Sequence, residues 1–278
     1  MLKLFNLKAY YQALYAFLSV LVRHRQLAWA LAKRDITDRY VGQALGAAWA
    51  FIHPMLLMGI YIFLFMIVFK VRVGERLGMP DDYALYIISG MVPWLAFQDS
   101  TSRGVAALTG NASLVKQVVF PIELLPFKIS ISSLLPMACG IGVLLAYMLV
   151  RYLSLPPTLL LLPMLILMQL GIMVGMNLLT SPVGCYLRDL KDIIQVVFLV
   201  MMYGMPIFYL PDMVPAVLRP LLVWNPFSHL IWCWQDVFFF QRIAHPASWG
   251  ITIGLSLFML ALGNRCFAFF RTYLGNVL

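Results

Sequence analysis

Charge is what this chain has least of. Only 11% of its 278 residues are Asp, Glu, Lys or Arg, where a soluble domain carries about 25%. Residues 40–69 contain no charged side chain at all. A helix rises about 1.5 Å per residue, so roughly 20 apolar residues cross a hydrocarbon core of about 30 Å. An uncharged run of that length excludes an ordinary soluble helix. The chain also lacks any long polar block, which excludes a soluble domain set beside the membrane part.

The usual chemical signatures are missing too. There is no G-x-x-x-x-G-K-[ST] phosphate loop, so the chain does not bind ATP in the P-loop manner by itself. Neither H-E-x-x-H nor G-x-S-x-G occurs. The four cysteines, Cys139, Cys185, Cys233 and Cys266, are scattered without a C-x-x-C pair. They indicate neither a disulfide framework nor a zinc site and read as small packing residues. His24, His53, His229 and His245 are equally dispersed. Asp81 and Asp82 follow Gly78 and Pro80 and read as a solvated helix start rather than a metal pair. No catalytic residue, metal site or cofactor bound by the chain is expected, and no nucleic-acid partner.

What is present is apolar: 63% of the residues are hydrophobic. The runs set out an all-α polytopic membrane protein with six spans, at 45–69, 83–108, 124–150, 157–184, 193–210 and 248–270. Residues 1–44 form a cytoplasmic interface segment of the same single transmembrane domain. Within it Leu14, Phe17, Leu18, Leu21 and Val22 recur on one helical face, which predicts an amphipathic helix on the inner leaflet. The 83–108 run ends in Gln98-Asp99-Ser100-Thr101-Ser102-Arg103. A polar half of that kind must face protein or a watery cavity. Pro136 predicts a kink in the third span. Residues 211–247 hold several prolines and many aromatics, with Asn225-Pro226 breaking an apolar run. They read as a re-entrant hairpin outside, between spans five and six.

Basic residues orient the chain. With both termini inside, only Lys70, Arg72, Arg76, Arg151, Arg219 and Arg242 of the 20 Lys and Arg fall outside. That bias favours cytoplasmic N- and C-termini. Gly42-x-x-x-Gly46, Gly171-x-x-x-Gly175 and Gly250-x-x-x-Gly254 permit close helix approach, within one chain or at a dimer seam. Aromatics crowd the first and fifth spans. Trp49, Trp94 and Tyr209 fit an interfacial belt. Tyr61, Phe65 and Tyr203 lie deeper and fit a lining on which sugar rings stack. With His53 and Phe198 these make a candidate glycan-lining wall of Trp49, His53, Tyr61, Phe65, Phe198, Tyr203 and Tyr209.

The pattern Arg34-Asp-Ile-x-x-Arg39-Tyr40-x-Gly42-x-x-Leu45-Gly46-x-x-Trp49 resembles the start of the first span in ABC-2 type permeases. Ser89-Gly90-Met-Val-Pro93-Trp94 is similar to their second span. Asn111-x-x-Leu114-Val-Lys116-x-Val-x-Phe120-Pro121-x-Glu123-x-Leu-Pro126 is similar to their inside coupling segment. Arg188-Asp189-Leu190, Pro206-Ile207 and Trp224-Asn225-Pro226-Phe227 follow in the family's order. One departure is Gln43, where a serine is common.

The set most resembles permeases that export polysaccharides, O-antigen exporters above all. The resemblance implies a transport subunit rather than an enzyme, six spans per chain and two chains per transporter in the bacterial inner membrane. It also implies a separate ATPase on each chain, which supplies ATP and Mg, and a lipid-linked polysaccharide as substrate. Capsular polysaccharide, teichoic acid or a small drug or lipid are the alternatives. A polyprenyl-phosphate glycosyltransferase is more remote, because only Asp99 among the acids is expected at depth. The ATPase contact implied comprises Asp35, Arg39, Tyr40, Asn111, Lys116, Phe120, Pro121 and Glu123, with Asp35, Arg39, Lys116 and Glu123 pairing across it. Pro211, Trp224, Asn225 and Pro226 would form an outside lid.

Overall fold

The computed structural model describes residues 7–68, 82–117 and 120–277. Among them there are helices and no strands. Two helices open the chain, α1 (Leu7–Arg23) and α2 (Arg25–Tyr40). A turn leads to α3 (Trp49–Ile62), which widens into a π turn over Phe63–Val68. Then come α4 (Tyr83–Gly104), the short α5 (Ala112–Gln117), α6 (Leu124–Ser132) and α7 (Leu134–Tyr152). The rest are α8 (Leu162–Tyr186), α9 (Leu190–Tyr203), α10 (Arg219–Trp224), α11 (Pro226–Phe238) and α12 (Pro246–Val277). Among the described residues, three stretches are long and apolar enough to cross a membrane: Leu124–Tyr152, Pro157–Tyr186 and Pro246–Tyr273. The expected outside loop at 70–82 lies outside the described residues except for Asp82.

The bundle is organised around α4. Every residue from Tyr83 to Trp94 is buried, so this helix is enclosed on all sides by protein and need not be uniformly apolar. Trp94 and Phe97 meet Phe198 of α9 at ring distances of 5.6 and 5.2 Å. Phe97 also meets Phe227 of α11 at 5.0 Å. Between membrane helices such rings gain from close packing, about 0.5–1.5 kcal/mol per aromatic pair. Neighbouring helices supply partners for part of the polar content of α4. Asn177 of α8 donates to Ser100 and to Ser130 of α6, both at 2.8 Å.

Helix ends follow local chemistry. Asp82 caps α4 by accepting from the Leu85 amide at 3.1 Å. Asn225 caps α11 by accepting from the Phe227 amide at 3.1 Å, with Pro226 in the first helical position. The break at Pro136 is realised three residues earlier. The helix ends at Ser132 and restarts at Leu134, which places the proline in the first turn of α7, where a missing N–H costs nothing.

The three glycine pairs have different fates. At Gly175 an added Cβ would run into the Met259 backbone, and at Gly263 into Gly175. The α8 pair Gly171 and Gly175 therefore lets α12 pack within the same chain. Gly42 and Gly46 are not a helix seam. Their φ values of +81° and +51° shape the turn between α2 and α3, which non-glycine residues enter at a cost. Gly250 and Gly254 face open space.

The amphipathic helix is present as α1, but its apolar face is divided. Phe17 is buried and meets Phe127 at 6.4 Å, and Leu21 packs on the same cluster. Tyr15, Leu18 and Val22 point outward. The chain then continues in a second helix, α2, which packs on α6 and buries Ala28 and Ala32.

Candidate functional site

The charges at one end of the bundle are tied into a single network. Both Nη atoms of Arg39 on α2 donate to Asp99 on α4, at 2.8 and 2.7 Å. Such a two-pronged Arg–carboxylate pair fixes orientation as well as distance. Ser133, at the α6–α7 break, donates to the same Asp99 at 2.7 Å. Arg103, one helical turn after Asp99, pairs with Asp35 on α2. Ser132 donates to Asp35 at 2.6 Å and accepts from Arg103 at 3.1 Å. Lys128 on α6 lies 3.8 Å from Asp35 and donates to Asn111 at 3.2 Å. Asn111 in turn donates to the Ala107 carbonyl at 2.8 Å, so the turn after α4 is held as well.

The network thus joins α2, α4, α6 and the lead into α5. Burial disfavours the Arg39 charge, but Asp99 outweighs it and the pKa is raised, so Arg39 is cationic at any working pH. Tyr40, next in sequence, is buried beside Ala50 and Cys139, and burial pushes its phenol pKa up.

The structure changes the expected part played by several charges. Asp35 and Arg39 are each paired within the chain. Glu123 is buried and receives Arg271 of α12 at 2.7 Å. Of the four charges expected to reach across a contact, Lys116 on α5 alone is exposed with its charge outward. Phe120 packs on the cluster that holds Phe17, Leu125 and Phe267, and Pro121 is half-buried nearby.

The expected aromatic wall is brought together only in part. Tyr61 stacks on Phe208 at 4.6 Å, Tyr203 meets Phe208 at 5.4 Å, and the Tyr61 and Tyr203 hydroxyls are 3.3 Å apart. Tyr209 donates to the Tyr203 carbonyl at 2.9 Å. Trp49 and His53 are exposed on α3. Phe198 is 3% exposed and packs in the core of the chain. The Phe65 side chain lies outside the described residues. In the expected lid, Trp224 is 84% exposed, Pro226 is exposed, Asn225 is the α11 cap and Pro211 begins a short 3-10 turn.

The sequence reading placed one buried acid in solvent and missed another. Asp82 is buried rather than solvated and accepts from Tyr147 at 2.8 Å and Tyr152 at 2.9 Å. Asp236 of α11 is 1% exposed. It accepts from the Trp249 indole at 3.0 Å and from both the amide and the imidazole of His245, at 3.1 and 2.8 Å. For Asp236 the available signal was an acid inside an apolar run, which must find donors.

A helical bundle with three membrane-length apolar stretches among its described residues, and with charges paired within the chain, has the character of an integral membrane protein. Among the described residues no three His, Cys, Asp or Glu side chains converge as a metal site would require. The chain belongs to the ABC-2 type transporter family, which it matches over residues 26–239. It is 27% identical over 211 residues to the O-antigen export system permease protein RfbA of Klebsiella pneumoniae, covering 75% of this chain and 78% of that one. It is 27% identical over 229 residues to the RfbA permease of Myxococcus xanthus, covering 80% and 84%. The polysialic acid transport protein KpsM of Escherichia coli is 23% identical over 212 residues, covering 73% and 77%.

Proposed function

We propose that this chain is the membrane subunit of an ATP-driven exporter that moves a lipid-linked, O-antigen-like polysaccharide out of the cytoplasm. The observation that carries the reading is the charge network linking α2, α4 and α6. A subunit that is pushed from below needs an inside face that moves as one body, and this network supplies it. Membership of the ABC-2 family and the export names of the relatives support the same reading.

In this reading α3, α4, α6 with α7, α8, α9 and α12 are six spans in the bacterial inner membrane, with both termini cytoplasmic. Residues 211–247 form the outside re-entrant hairpin and act as a lid. Two copies of the chain assemble, each with a separate ATPase that holds ATP and Mg. Closure of the ATPase pair pushes on α5, where Lys116 is exposed. The network passes the displacement from α5 to α2 and α4, and the turn at Gly42 and Gly46 passes it to α3. Rigid-body movement of this kind changes a seam rather than a single side chain. The aromatic group of Tyr61, Tyr203 and Phe208, with Trp49 and Tyr209, supplies rings on which sugars stack. A capsular polysaccharide is the second substrate class, favoured by the likeness to the polysialic acid transport protein.

The experiment is co-purification. The chain solubilised from its native membrane should carry an ATP-hydrolysing subunit, and deletion of either should stop surface polysaccharide. A stable chain that never binds such a subunit contradicts the proposal.

A further inference from the structure

Two bodies can be distinguished within the chain. The charge network holds α2, α4 and α6 together. The close contacts at Gly175 and Gly263 hold α8 to α12. The two bodies meet along α4 and α8, and the polar groups of that seam are only half used. Gln169 of α8 donates to the Pro93 carbonyl of α4 at 3.0 Å. Two turns further along, Asn177 donates to Ser100 of α4 and Ser130 of α6. Ser130 gives its own proton to the Pro126 carbonyl at 3.2 Å, so it accepts from Asn177, and Oδ1 is the end of Asn177 left over. Among the described residues, Asn177 Oδ1, the Thr101 hydroxyl of α4 and the Ser181 hydroxyl of α8 have no hydrogen-bond partner. All three residues are 0% exposed. A buried polar group without a partner is a standing cost that the fold must offset elsewhere.

Helix geometry brings the three together. Asn177 Oδ1 lies against Gly104, one turn after Thr101. Val105, also one turn after Thr101, touches Gly184 through its carbonyl, and Ser181 lies one turn before Gly184. At Gly104 and Gly184 no side chain interlocks the two helices. We propose that this seam is a contact with two positions. In the position seen here the glycines pack most closely and the three oxygens go unpaired. In the second, α8 is displaced slightly against α4, the Thr101 hydroxyl donates to Asn177 Oδ1 and the Ser181 hydroxyl donates to the Val105 carbonyl. The first position gains packing and the second gains hydrogen bonds, so a push on one body shifts the balance between them. The seam is thus where the α8–α12 body follows or lags the α2–α4–α6 body. It rests on the proposed function only for the origin of the push.

The test uses Cys185, which is half-buried on α8 one turn after Ser181 and borders an open pocket. The full-length protein in detergent is labelled there with a trifluoroethyl thiol and read by fluorine NMR. Cys266→Ala removes the other half-buried thiol. The protein with its seam residues intact should give two Cys185 resonances. Thr101→Val and Ser181→Ala should each give one, and Thr101→Ser, which keeps the hydroxyl, should restore two. Thr101→Val should melt at or above the wild-type temperature, since it removes a hydroxyl unpaired in the position seen here. A single resonance with the seam intact, two resonances in both Thr101→Val and Ser181→Ala, or lower melting in both overturns the proposal. Lower melting would mean that the hydroxyls are already paired, through buried water. The spectrum with the seam intact needs no seam variant, so a variant that does not fold leaves the proposal open to contradiction. Failure of an ATPase to co-purify would sink the proposed function and leave this spectrum untouched.

Discussion

Arg39 and Asp99 are 60 residues apart in sequence and face each other through two hydrogen bonds, at 2.7 and 2.8 Å. The pair clamps the helix that precedes the first apolar run to the helix at the centre of the bundle. Both side chains are about three-quarters buried. Losing one partner therefore strands a charge that solvent only partly screens. Arg39→Ala should destabilise the protein by on the order of 2 kcal/mol, below the 3–5 kcal/mol of a fully buried pair. The Arg39→Ala, Asp99→Ala double variant should cost less than the sum of the singles, measured as a double-mutant cycle on melting in detergent. Additive losses would mean that the pair is not coupled.

Asp82 ties the opposite end of α4 to α7. Asp82→Ala removes the cap of α4 and the acceptor of two tyrosine hydroxyls. A loss of about 2–3 kcal/mol is expected from the cap and the charged hydrogen bonds together. Asp82→Asn should keep most of the cap and lose less. Chemical or thermal melting of the two variants separates these outcomes, and equal melting of Asp82→Ala and wild type would remove this tie from the account.

The close contact of α8 with α12 gives a contrast between glycines. Gly175→Ala should sharply lower the yield of folded protein, since its Cβ has no room beside Met259. Gly250→Ala should be neutral or stabilise by about 0.5–1 kcal/mol, because a helical glycine in open space is only an entropic cost. Size-exclusion profiles of membrane extracts read the difference. A Gly250→Ala chain that folds but loses its oligomer would instead place a seam on that face of α12.

Lys116 and Glu123 should separate contact from support. Lys116→Glu, on an exposed position of α5, should leave the melting temperature unchanged and weaken association with the ATPase severalfold. Glu123→Gln, which breaks the pair with Arg271, should lower melting. Binding of the ATPase to immobilised chain, with melting as the control, distinguishes the two. Unchanged association for Lys116→Glu would remove α5 from the contact.

The membrane character and the polar end of α4 were legible because both follow from run length and charge. The long helices at Leu124–Tyr152, Pro157–Tyr186 and Pro246–Tyr273 overlap apolar runs that composition alone picks out. The pairing of charges was not legible. Arg39 reads as an exposed contact residue because a basic residue beside an apolar run normally is one, and only the fold brings Asp99 to it. Phe198 reads as a wall residue because an aromatic at span depth carries no mark of which way it points. Asp82 reads as solvated and Asp236 is missed for a related reason: their donors, Tyr147, Tyr152, His245 and Trp249, lie on other helices or beyond a turn. Helix period gives the face of a residue, and tertiary packing decides what that face meets.

The most direct test of the central claim is the amount of lipid-linked glycan exported per ATP hydrolysed, measured in proteoliposomes containing this chain and its ATPase. The account predicts ATP-dependent export by the wild type. With Arg39→Ala, it predicts that the ATPase stays bound and continues to hydrolyse ATP while glycan moved per ATP falls severalfold. Export without ATP, or a wild-type ratio in Arg39→Ala, would contradict it.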